Sequence, residues 1–307
     1  MQPVTILVLS IGVPAVTVAA LAERFDVLGP GDPDEIEALV SAHGARIRGI
    51  ATTGKARLDR ALLARLPALE IVACYSAGLD KIDVEALAER GIPLTNSSAA
   101  LAGEVADLAV ALMIMARRRL VAADAHIRSG AWAEAAFPLG RSLTGLRIGL
   151  LGLGHIGSAI ARRAEAMGMR PRYCTRRPVA GCAYRHHADA QALAADSDVF
   201  VIACPGGPAN RGLVDRNVIA ALGPDATLVN IARGEIVDEP ALVEALVSGR
   251  LGSAGLDVFA DEPNVPLALR ELDNVVLAPH LGSATIETRH AMGESVVRSL
   301  ERLLSPV

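Results

Sequence analysis

The sequence predicts an α/β fold with two doubly wound parallel-sheet domains, Rossmann-like or flavodoxin-like. Two series of short apolar runs alternate with helical patterns, and a glycine-rich turn directly follows the first apolar run of the second series. The chain has 307 residues, which is too long for one typical core and suits two domains.

The first series covers roughly the first ninety residues. Apolar runs at 5–9, 47–51, 69–74 and 92–95 predict strands, and helical patterns lie between them at 33–42, 58–66 and 84–90. A long helical pattern then runs from 99 to 128. It ends before an irregular stretch that contains Trp132, Phe137 and Pro138.

The second series predicts six strands, at 147–151, 172–175, 199–203, 227–231, 254–258 and 275–278. A last helix, at about 284–303, follows the complete sheet, so we expect it to pack on the first domain. The predicted domains are therefore 1–98 plus 284–307, which is discontinuous, and 99–283.

Composition indicates a globular protein, because 51% of the residues are hydrophobic and 21% are charged. A net charge of −4 gives no general attraction for nucleic acid or anionic lipid. We interpret the cluster Arg117-Arg118-Arg119 as a solvated helix face. The N-terminal apolar run lacks a basic leader and a cleavage signal, and no stretch approaches the roughly 20 apolar residues that a membrane span needs, so we predict a cytoplasmic protein with no membrane partner.

The four cysteines, Cys74, Cys174, Cys182 and Cys204, form no CxxC pair. Most of them lie in or beside apolar runs, where cysteine behaves as a small hydrophobic residue. We therefore expect neither a metal site nor a disulfide.

The glycine-rich turn has the spacing GxGxxG and consists of Gly152, Leu153, Gly154, His155, Ile156 and Gly157. It lies directly after a predicted strand and before a predicted helix, which is the context of a dinucleotide site. The first glycine permits the tight turn, the second allows the backbone to approach a pyrophosphate, and the third lets helix and strand pack closely. A glycine turn without a ligand is the alternative, and a methyltransferase would carry an acidic residue after the next strand.

That next strand ends in Thr175, Arg176 and Arg177, where an NAD enzyme usually has a carboxylate for the ribose 2′-hydroxyl. A hydroxyl and two guanidinium groups suit a 2′-phosphate instead. The sequence thus favours NADP(H), with NAD(H) possible. The alternative interpretation is a pair of surface arginines.

Three further strand ends carry polar residues, namely Arg233, Glu262 and His280. Carboxyl ends of parallel strands border the ligand crevice of an open sheet. Singly, each of these residues is more often a surface or capping residue. On three strand ends together they indicate a catalytic set.

The chain resembles the D-isomer-specific 2-hydroxyacid dehydrogenase family, and most closely its glyoxylate/hydroxypyruvate reductase branch. The resemblance covers essentially the whole length. It rests on the glycine turn and on four further segments, YSAGLDKID from Tyr75, NIARGEIVDEPAL from Asn230, GLDVFADEP from Gly255 and PHLGSAT from Pro279.

The resemblance implies that Arg233 binds the substrate carboxylate and carbonyl oxygen, that His280 protonates the carbonyl, and that Glu262 pairs with His280. A guanidinium group can bind a 2-oxo carboxylate with two hydrogen bonds. A neighbouring carboxylate favours the protonated imidazole that a general acid requires.

The resemblance further implies that the loop Ser76, Ala77 and Gly78 binds the substrate carboxylate through backbone N–H groups. Ser76 replaces a glycine that is common in the family, and its hydroxyl is expected to reach the substrate. Asp257 is expected beside the nicotinamide, with a role in holding the loop nearly as well supported. The other expected cofactor-binding residues are Cys204, Pro205, Ile231, Ala232, Arg233, His280 and Gly282.

Together these features predict a reductase of small 2-oxo acids, with a substrate domain at 1–98 plus 284–307, a dinucleotide domain at 99–283 and the active site in the cleft between them. The resemblance to a dimerisation arm predicts a homodimer. Two alternatives remain, an NAD-dependent dehydrogenase of the D-lactate or phosphoglycerate type and a non-catalytic NADP(H) sensor.

Overall fold

The computed structural model describes residues 3–304. Within this range the chain forms two compact units. Unit 1 extends to Leu101 and resumes at Thr285, and unit 2 is Ala102–Ala284. The predicted end of the first segment, at residue 98, lies three residues before Leu101. The predicted return to the first domain, at residue 284, lies one residue before Thr285.

The first part of the chain contains β1 (Thr5–Val8), α1 (Ala15–Ala22), β2 (Asp26–Leu28), α2 (Pro33–His43), β3 (Gly49–Thr52), α3 (Arg60–Ala64), β4 (Ile71–Cys74), α4 (Val84–Glu89), β5 (Leu94–Asn96) and α5 (Ser98–Arg118). The second part contains α6 (Leu120–Arg128), β6 (Arg147–Leu151), α7 (His155–Ala166), β7 (Arg170–Cys174), β8 (Arg185–His187), α8 (Ala190–Ala195), β9 (Val199–Ile202), α9 (Arg216–Leu222), β10 (Thr227–Asn230), α10 (Glu239–Val247), β11 (Ser253–Leu256), α11 (Leu267–Arg270), β12 (Val275–Leu277) and α12 (Ile286–Leu304).

The described part of unit 1 contains a five-stranded parallel sheet in the order β2-β1-β3-β4-β5. This is the flavodoxin-like order. Every residue of β1, β3 and β4 is buried, which explains their continuous apolar runs in the sequence. The sequence prediction missed β2, a three-residue edge strand, and α1, which starts after Pro14 without a side-chain cap.

Unit 2 contains, among its described residues, a seven-stranded parallel sheet in the order β12-β11-β10-β9-β6-β7-β8. Counted from β6, this is the Rossmann order with one additional strand. The predicted fold class of two doubly wound parallel sheets is therefore confirmed. The predicted number of six strands is wrong, because β8 has only three residues and shows no apolar run.

The long helix predicted at 99–128 is interrupted. Arg119 has φ = 52°, a left-handed conformation that separates α5 from α6. The interpretation of Arg117 as part of a solvated face is also wrong. Arg117 is buried and donates to the carbonyl oxygens of Ser142 and Asp225 at 3.2 Å each. No change in local sequence pattern marks either feature.

Helix α5 is long and apolar enough to cross a membrane by length and composition alone, with a mean hydropathy of 1.8 in its most apolar window. The prediction that no stretch reaches this length is therefore wrong. In this window 44% of the residues are buried within the protein. Core helices pass the same test, so one such helix is weak evidence for a membrane span.

Candidate active site and dinucleotide site

The glycine turn connects β6 to α7 at the point where the strand order of unit 2 reverses. Gly152 has φ = 103°, and its N–H donates to the carbonyl oxygen of Cys174 at 2.9 Å. A Cβ on Gly157 would lie 2.2 Å from the carbonyl oxygen of Gly152, so only glycine lets the helix approach the turn. A Cβ on Gly154 would meet nothing within 4 Å. The space beside Gly154 is thus open to a ligand.

The N-terminus of α7 is suited to an anion. Gly154 provides no side-chain cap, and the first turn of the helix contains no acidic residue. Helices α9 and α10 of the same unit are capped by Asp215 and Asp238. The unpaired N–H groups and the helix dipole of α7 would attract a pyrophosphate, so the residues present fit a dinucleotide.

The turn after β7 carries the predicted 2′-phosphate site. The Thr175 hydroxyl donates to the carbonyl oxygen of Arg177 at 2.6 Å, which closes the turn. Arg176 and Arg177 are exposed, and neither guanidinium group forms an ion pair within residues 3–304. Both charges can therefore bind an incoming phosphate.

The other expected cofactor-binding residues lie after β9 and β10, at the same edge of the sheet. Cys204, Ile231 and Ala232 are buried and Pro205 is exposed. Burial raises the pKa of Cys204 to about 11, so its side chain is a neutral thiol at physiological pH. Across residues 3–304 no group of three or more His, Cys, Asp or Glu side chains could hold a metal ion.

The structure pairs His280 with Glu262. His280 Nδ1 lies 2.8 Å from Glu262 Oε2, and the two side chains are 40% and 31% exposed. An ionised carboxylate only accepts hydrogen bonds, so Nδ1 carries the hydrogen of this bond and Nε2 faces away from Glu262. Glu262 Oε1 also accepts a hydrogen bond from the N–H of Phe259, at 3.3 Å.

His280 adopts a backbone conformation that is rare for a non-glycine residue, with φ = 56°. Such conformations persist where the surroundings impose them, and they cluster at functional sites. Asp257 holds His280 in this backbone conformation. Its carbonyl oxygen accepts from the N–H of His280 at 2.9 Å, and its Oδ1 and Oδ2 accept from the N–H groups of Leu281 and Gly282 at 2.6 and 2.9 Å.

Asp257 thus holds the loop after β12, one of the two roles expected from the sequence. Burial raises the pKa of its carboxyl group, and the two N–H donors of the loop oppose that shift. A Cβ on Gly282 would lie 3.3 Å from Asp257 Oδ2 and 3.4 Å from a methyl group of Val105. Gly282 therefore permits the close approach of loop and carboxylate.

Arg233 lies directly after β10, and its guanidinium group donates to the carbonyl oxygen of Ala232 at 2.7 Å. Two residues that the sequence reasoning did not select fix this turn. Buried Asn230 donates to the carbonyl oxygen of Arg233 at 3.0 Å. A Cβ on Gly234 would lie 1.9 Å from the carbonyl carbon of Phe259, so this turn packs against the turn that carries Glu262. Both residues lie in the segment NIARGE, which is the sequence feature that could have identified them.

In unit 1, the loop Ser76–Gly78 follows β4 and is held by its neighbours. Ser76 Oγ accepts from the N–H of Gly54 at 3.2 Å, and the carbonyl oxygen of Ala77 accepts from Asn96 at 3.3 Å. The Ser76 hydroxyl, expected to reach the substrate, thus supports the loop. Within residues 3–304 the N–H groups of Ala77 and Gly78 donate to no protein acceptor. They remain available for an anion.

Comparison with known proteins agrees with this geometry. Residues 110–282 match the D-isomer specific 2-hydroxyacid dehydrogenase, NAD binding domain. Glyoxylate/hydroxypyruvate reductase A of Arabidopsis thaliana is 44% identical over 293 residues, which is 94% of each chain. Hydroxyphenylpyruvate reductase of Plectranthus scutellarioides is 45% identical over 267 residues, 85% of each chain.

Among solved structures, an NADPH-dependent glyoxylate/hydroxypyruvate reductase from Sinorhizobium meliloti, in complex with NADP and malonate, superposes with a TM-score of 0.87 at 41% identity. The match covers 99% of this chain and 94% of the other. This chain therefore belongs to the D-isomer specific 2-hydroxyacid dehydrogenase family, in its glyoxylate/hydroxypyruvate reductase-like branch, and is an NAD(P)-dependent oxidoreductase acting on CH–OH groups.

Proposed function

We propose that the chain reduces small 2-oxo acids of the glyoxylate or hydroxypyruvate kind to D-2-hydroxy acids, with NADPH as the preferred reductant and His280 as the general acid. The observation that carries the proposal is the His280–Glu262 pair at 2.8 Å, on a loop fixed by Asp257. It lies at the same sheet edge as the glycine turn. The names and bound ligands of the relatives described above support the same reaction class.

His280 delivers the proton in this proposal. Since Nδ1 is engaged with Glu262, the proton passes from Nε2 to the carbonyl oxygen of the substrate. Glu262 orients the ring and stabilises its positive charge, while Asp257 is a positioning residue that fixes the loop. The reduced nicotinamide, when bound, supplies the hydride.

Each unit contributes its own anion donors to this proposal. In unit 2, the guanidinium group of Arg233 binds the carboxylate and polarises the carbonyl, because it can donate two parallel hydrogen bonds. In unit 1, the N–H groups of Ala77 and Gly78 are donors for an anion. Side-chain amides hold the backbone at both places, because Asn230 donates to the carbonyl oxygen of Arg233 and Asn96 donates to that of Ala77.

The preference for NADPH rests on the turn after β7. Arg176 and Arg177 provide two charges without ion pairs in the described chain, at the position where an NAD-specific enzyme has a carboxylate. An NAD-dependent dehydrogenase of the D-lactate or phosphoglycerate type is the second candidate. Steady-state KM values for NADPH and NADH distinguish the two.

The activity is tested by following NADPH oxidation with glyoxylate, hydroxypyruvate and phenylpyruvate. We expect turnover with at least glyoxylate or hydroxypyruvate, and faster turnover with NADPH than with NADH. Tight NADPH binding without turnover of any 2-oxo acid would contradict the proposal and favour a non-catalytic sensor.

A homodimer is part of this proposal. Helix α6 and the segment after it expose five large apolar side chains, Leu120, Val121, Ile127, Trp132 and Leu139, with Leu139 97% exposed. Apolar patches of this kind mark protein interfaces, and two-fold dimers are the commonest assemblies. Light scattering at micromolar concentration should give the mass of two chains. A monomer mass would contradict the prediction of a homodimer.

The cytoplasmic location of the protein remains a prediction.

A further inference from the structure

The loop after β9, residues 205–213, borders the crevice of the unit 2 sheet. Strands β6 and β9 are neighbours, but the chain continues from β6 to β7 on one side and from β9 to β10 on the other. The loops after such strands diverge and leave the crevice in which open α/β sheets bind ligands. A Cβ on Gly152 would lie 2.7 Å from the backbone nitrogen of Cys204, so the glycine turn contacts the chain where this loop begins.

The composition of the loop after β9 gives its backbone unusual freedom. The loop begins with Pro205-Gly206-Gly207, and Gly207 has φ = 101°, a conformation that other residues rarely adopt. Glycine loses more conformational entropy than any other residue when it becomes ordered. Asn210 closes part of the loop, because its backbone N–H donates to the carbonyl oxygen of Gly207 at 3.0 Å and its side chain donates to that of Pro205 at 2.8 Å.

Glu235 binds the same loop with both carboxylate oxygens. Its Oε1 accepts from the N–H of Gly207 at 2.8 Å, and its Oε2 lies 2.6 Å from a guanidinium nitrogen of Arg211. Its backbone carbonyl oxygen accepts from the N–H of Gly212, also at 2.8 Å. The Glu235 side chain is only 26% exposed. Charge-assisted hydrogen bonds from this position fix the glycines of the loop.

The turn that carries Glu235 is a rigid anchor. Glu235 lies between Gly234, which packs against Phe259, and Ile236, which is fully buried. The N–H of Val214, directly after the loop, donates to the carbonyl oxygen of Ile236 at 2.9 Å. A loop with a flexible backbone is thus attached through one carboxylate to the turn that follows Arg233.

We infer that Glu235 is a positioning residue for the dinucleotide, because it holds the loop after β9 in the shape that lines the cofactor crevice. The inference rests on the proposed function, which places the cofactor beside the glycine turn. Cys204 and Pro205, both expected to contact the cofactor, directly precede the glycines that Glu235 orders. Without the carboxylate, the loop becomes ordered only when the cofactor binds, and the cost of that ordering lowers cofactor affinity.

The test compares Glu235→Ala with Glu244→Ala. Glu244 is an exposed residue of α10 that pairs with Arg216 and Arg250, so its removal also breaks ion pairs in unit 2. Fluorescence titration should give a Kd for NADPH about tenfold higher in Glu235→Ala, since a charge-assisted hydrogen bond and an ordered loop are lost. In Glu244→Ala the Kd should stay within about twofold of the wild-type value.

Two comparisons separate positioning from other roles of Glu235. The Kd for NADH should rise in Glu235→Ala by the same factor as that for NADPH, because the loop after β9 is not the site of the 2′-phosphate. The kcat for glyoxylate at saturating NADPH should stay within about twofold of the wild-type value, since the bound cofactor orders the loop. Glu235→Gln retains an acceptor for the N–H of Gly207 but loses the ion pair with Arg211, so its Kd should be intermediate.

Hydrogen exchange of the apo protein tests the loop without turnover. The amides of residues 205–213 should exchange faster in Glu235→Ala than in the wild type and in Glu244→Ala, because the loop opens more often. Saturating NADPH should restore their protection in Glu235→Ala.

An unchanged Kd for NADPH in Glu235→Ala, or unchanged exchange of residues 205–213, would overturn the inference. A kcat that falls as much as the affinity does would overturn it as well. If the wild type binds NADPH but reduces no 2-oxo acid, the proposed function fails, and the titration and the exchange experiment still decide the role of Glu235. Absence of binding of both NADPH and NADH by the wild type would overturn the inference together with the proposed function.

Discussion

At the carboxyl edge of the unit 2 sheet His280 and Glu262 remain partly exposed, whereas at the amino edge of the same sheet Arg117 is buried. The carboxyl edge leaves His280 Nε2 facing away from its partner, on a backbone with φ = 56°. At the amino edge, the side chains of Arg117 and Arg147 donate hydrogen bonds to acceptors within the protein. In the proposed function, the same strands therefore support chemistry at one end and stability at the other.

The amino edge is held by two arginines. Arg117 donates to the hydroxyl of Thr227, at the start of β10, at 3.2 Å, as well as to the two carbonyl oxygens described above. Arg147, at the start of β6, donates from its side chain to both carboxylate oxygens of Asp198, at 2.7 and 3.0 Å. Arg147 holds the pKa of the Asp198 carboxyl group below its ordinary value. These contacts join β6, β10 and α5 at the amino edge of the sheet.

The largest effect on activity is expected at the carboxyl edge. Replacing His280 with Ala should lower kcat for 2-oxo acid reduction by about 10²–10⁴-fold, because general acid catalysis contributes that much. NADPH affinity, measured by fluorescence titration, should change little, since the proposed site of the cofactor phosphates is the glycine turn. His290→Ala, in α12 of unit 1, is the control and should retain its activity. A near-normal kcat in His280→Ala would show that another group is the acid.

The opposite pattern is expected at the amino edge. Arg117→Met should lower the free energy of unfolding by about 2–4 kcal/mol, because buried carbonyl groups and Thr227 lose a charged donor. The kcat of the folded protein should stay close to that of the wild type. Arg118→Met, at an exposed neighbouring position, should have little effect on stability. Denaturant unfolding measures the free energy of unfolding of both variants. If Arg117→Met were as stable as the wild type, the proposed difference between the two edges would be contradicted.

A smaller effect is expected after the carboxyl end of β7, and none at its amino end. Replacing Arg176 and Arg177 with Ala should raise the KM for NADPH by roughly 10–100-fold, the value of lost charge-assisted hydrogen bonds to a phosphate, and should leave the KM for NADH nearly unchanged. Arg170→Ala, at the amino end of the same strand, should affect neither. Parallel increases for both cofactors would contradict the 2′-phosphate site.

The sequence predicted the two sheets because central parallel strands are buried on both faces and read as continuous apolar runs. It could not predict β8 (Arg185–His187), because all three of its residues are polar and none is fully buried. It also missed the break at Arg119 and the burial of Arg117, since a helical pattern does not reveal which of three adjacent arginines faces the protein.

The candidate site was predictable to a similar degree. Strand ends followed by Arg233, Glu262 and His280 identified the edge, because carboxyl ends of parallel strands lie together. The bond between His280 and Glu262, expected from the family resemblance, is present. The left-handed backbone of His280 and the bonds of Ser76 to Gly54 depend on contacts between loops that sequence spacing does not encode.

The central claim is that His280 is the acid of the reaction and that Glu262 orients its ring through Nδ1. The most direct test is kcat for glyoxylate reduction in the wild type, in Glu262→Gln and in Glu262→Ala. The amide of Gln retains an acceptor for Nδ1–H, whereas Ala removes it. We predict that kcat falls further in Glu262→Ala than in Glu262→Gln and stays close to the wild-type value in the exposed control Glu271→Gln. Equal kcat values in Glu262→Ala and the wild type would contradict the claim.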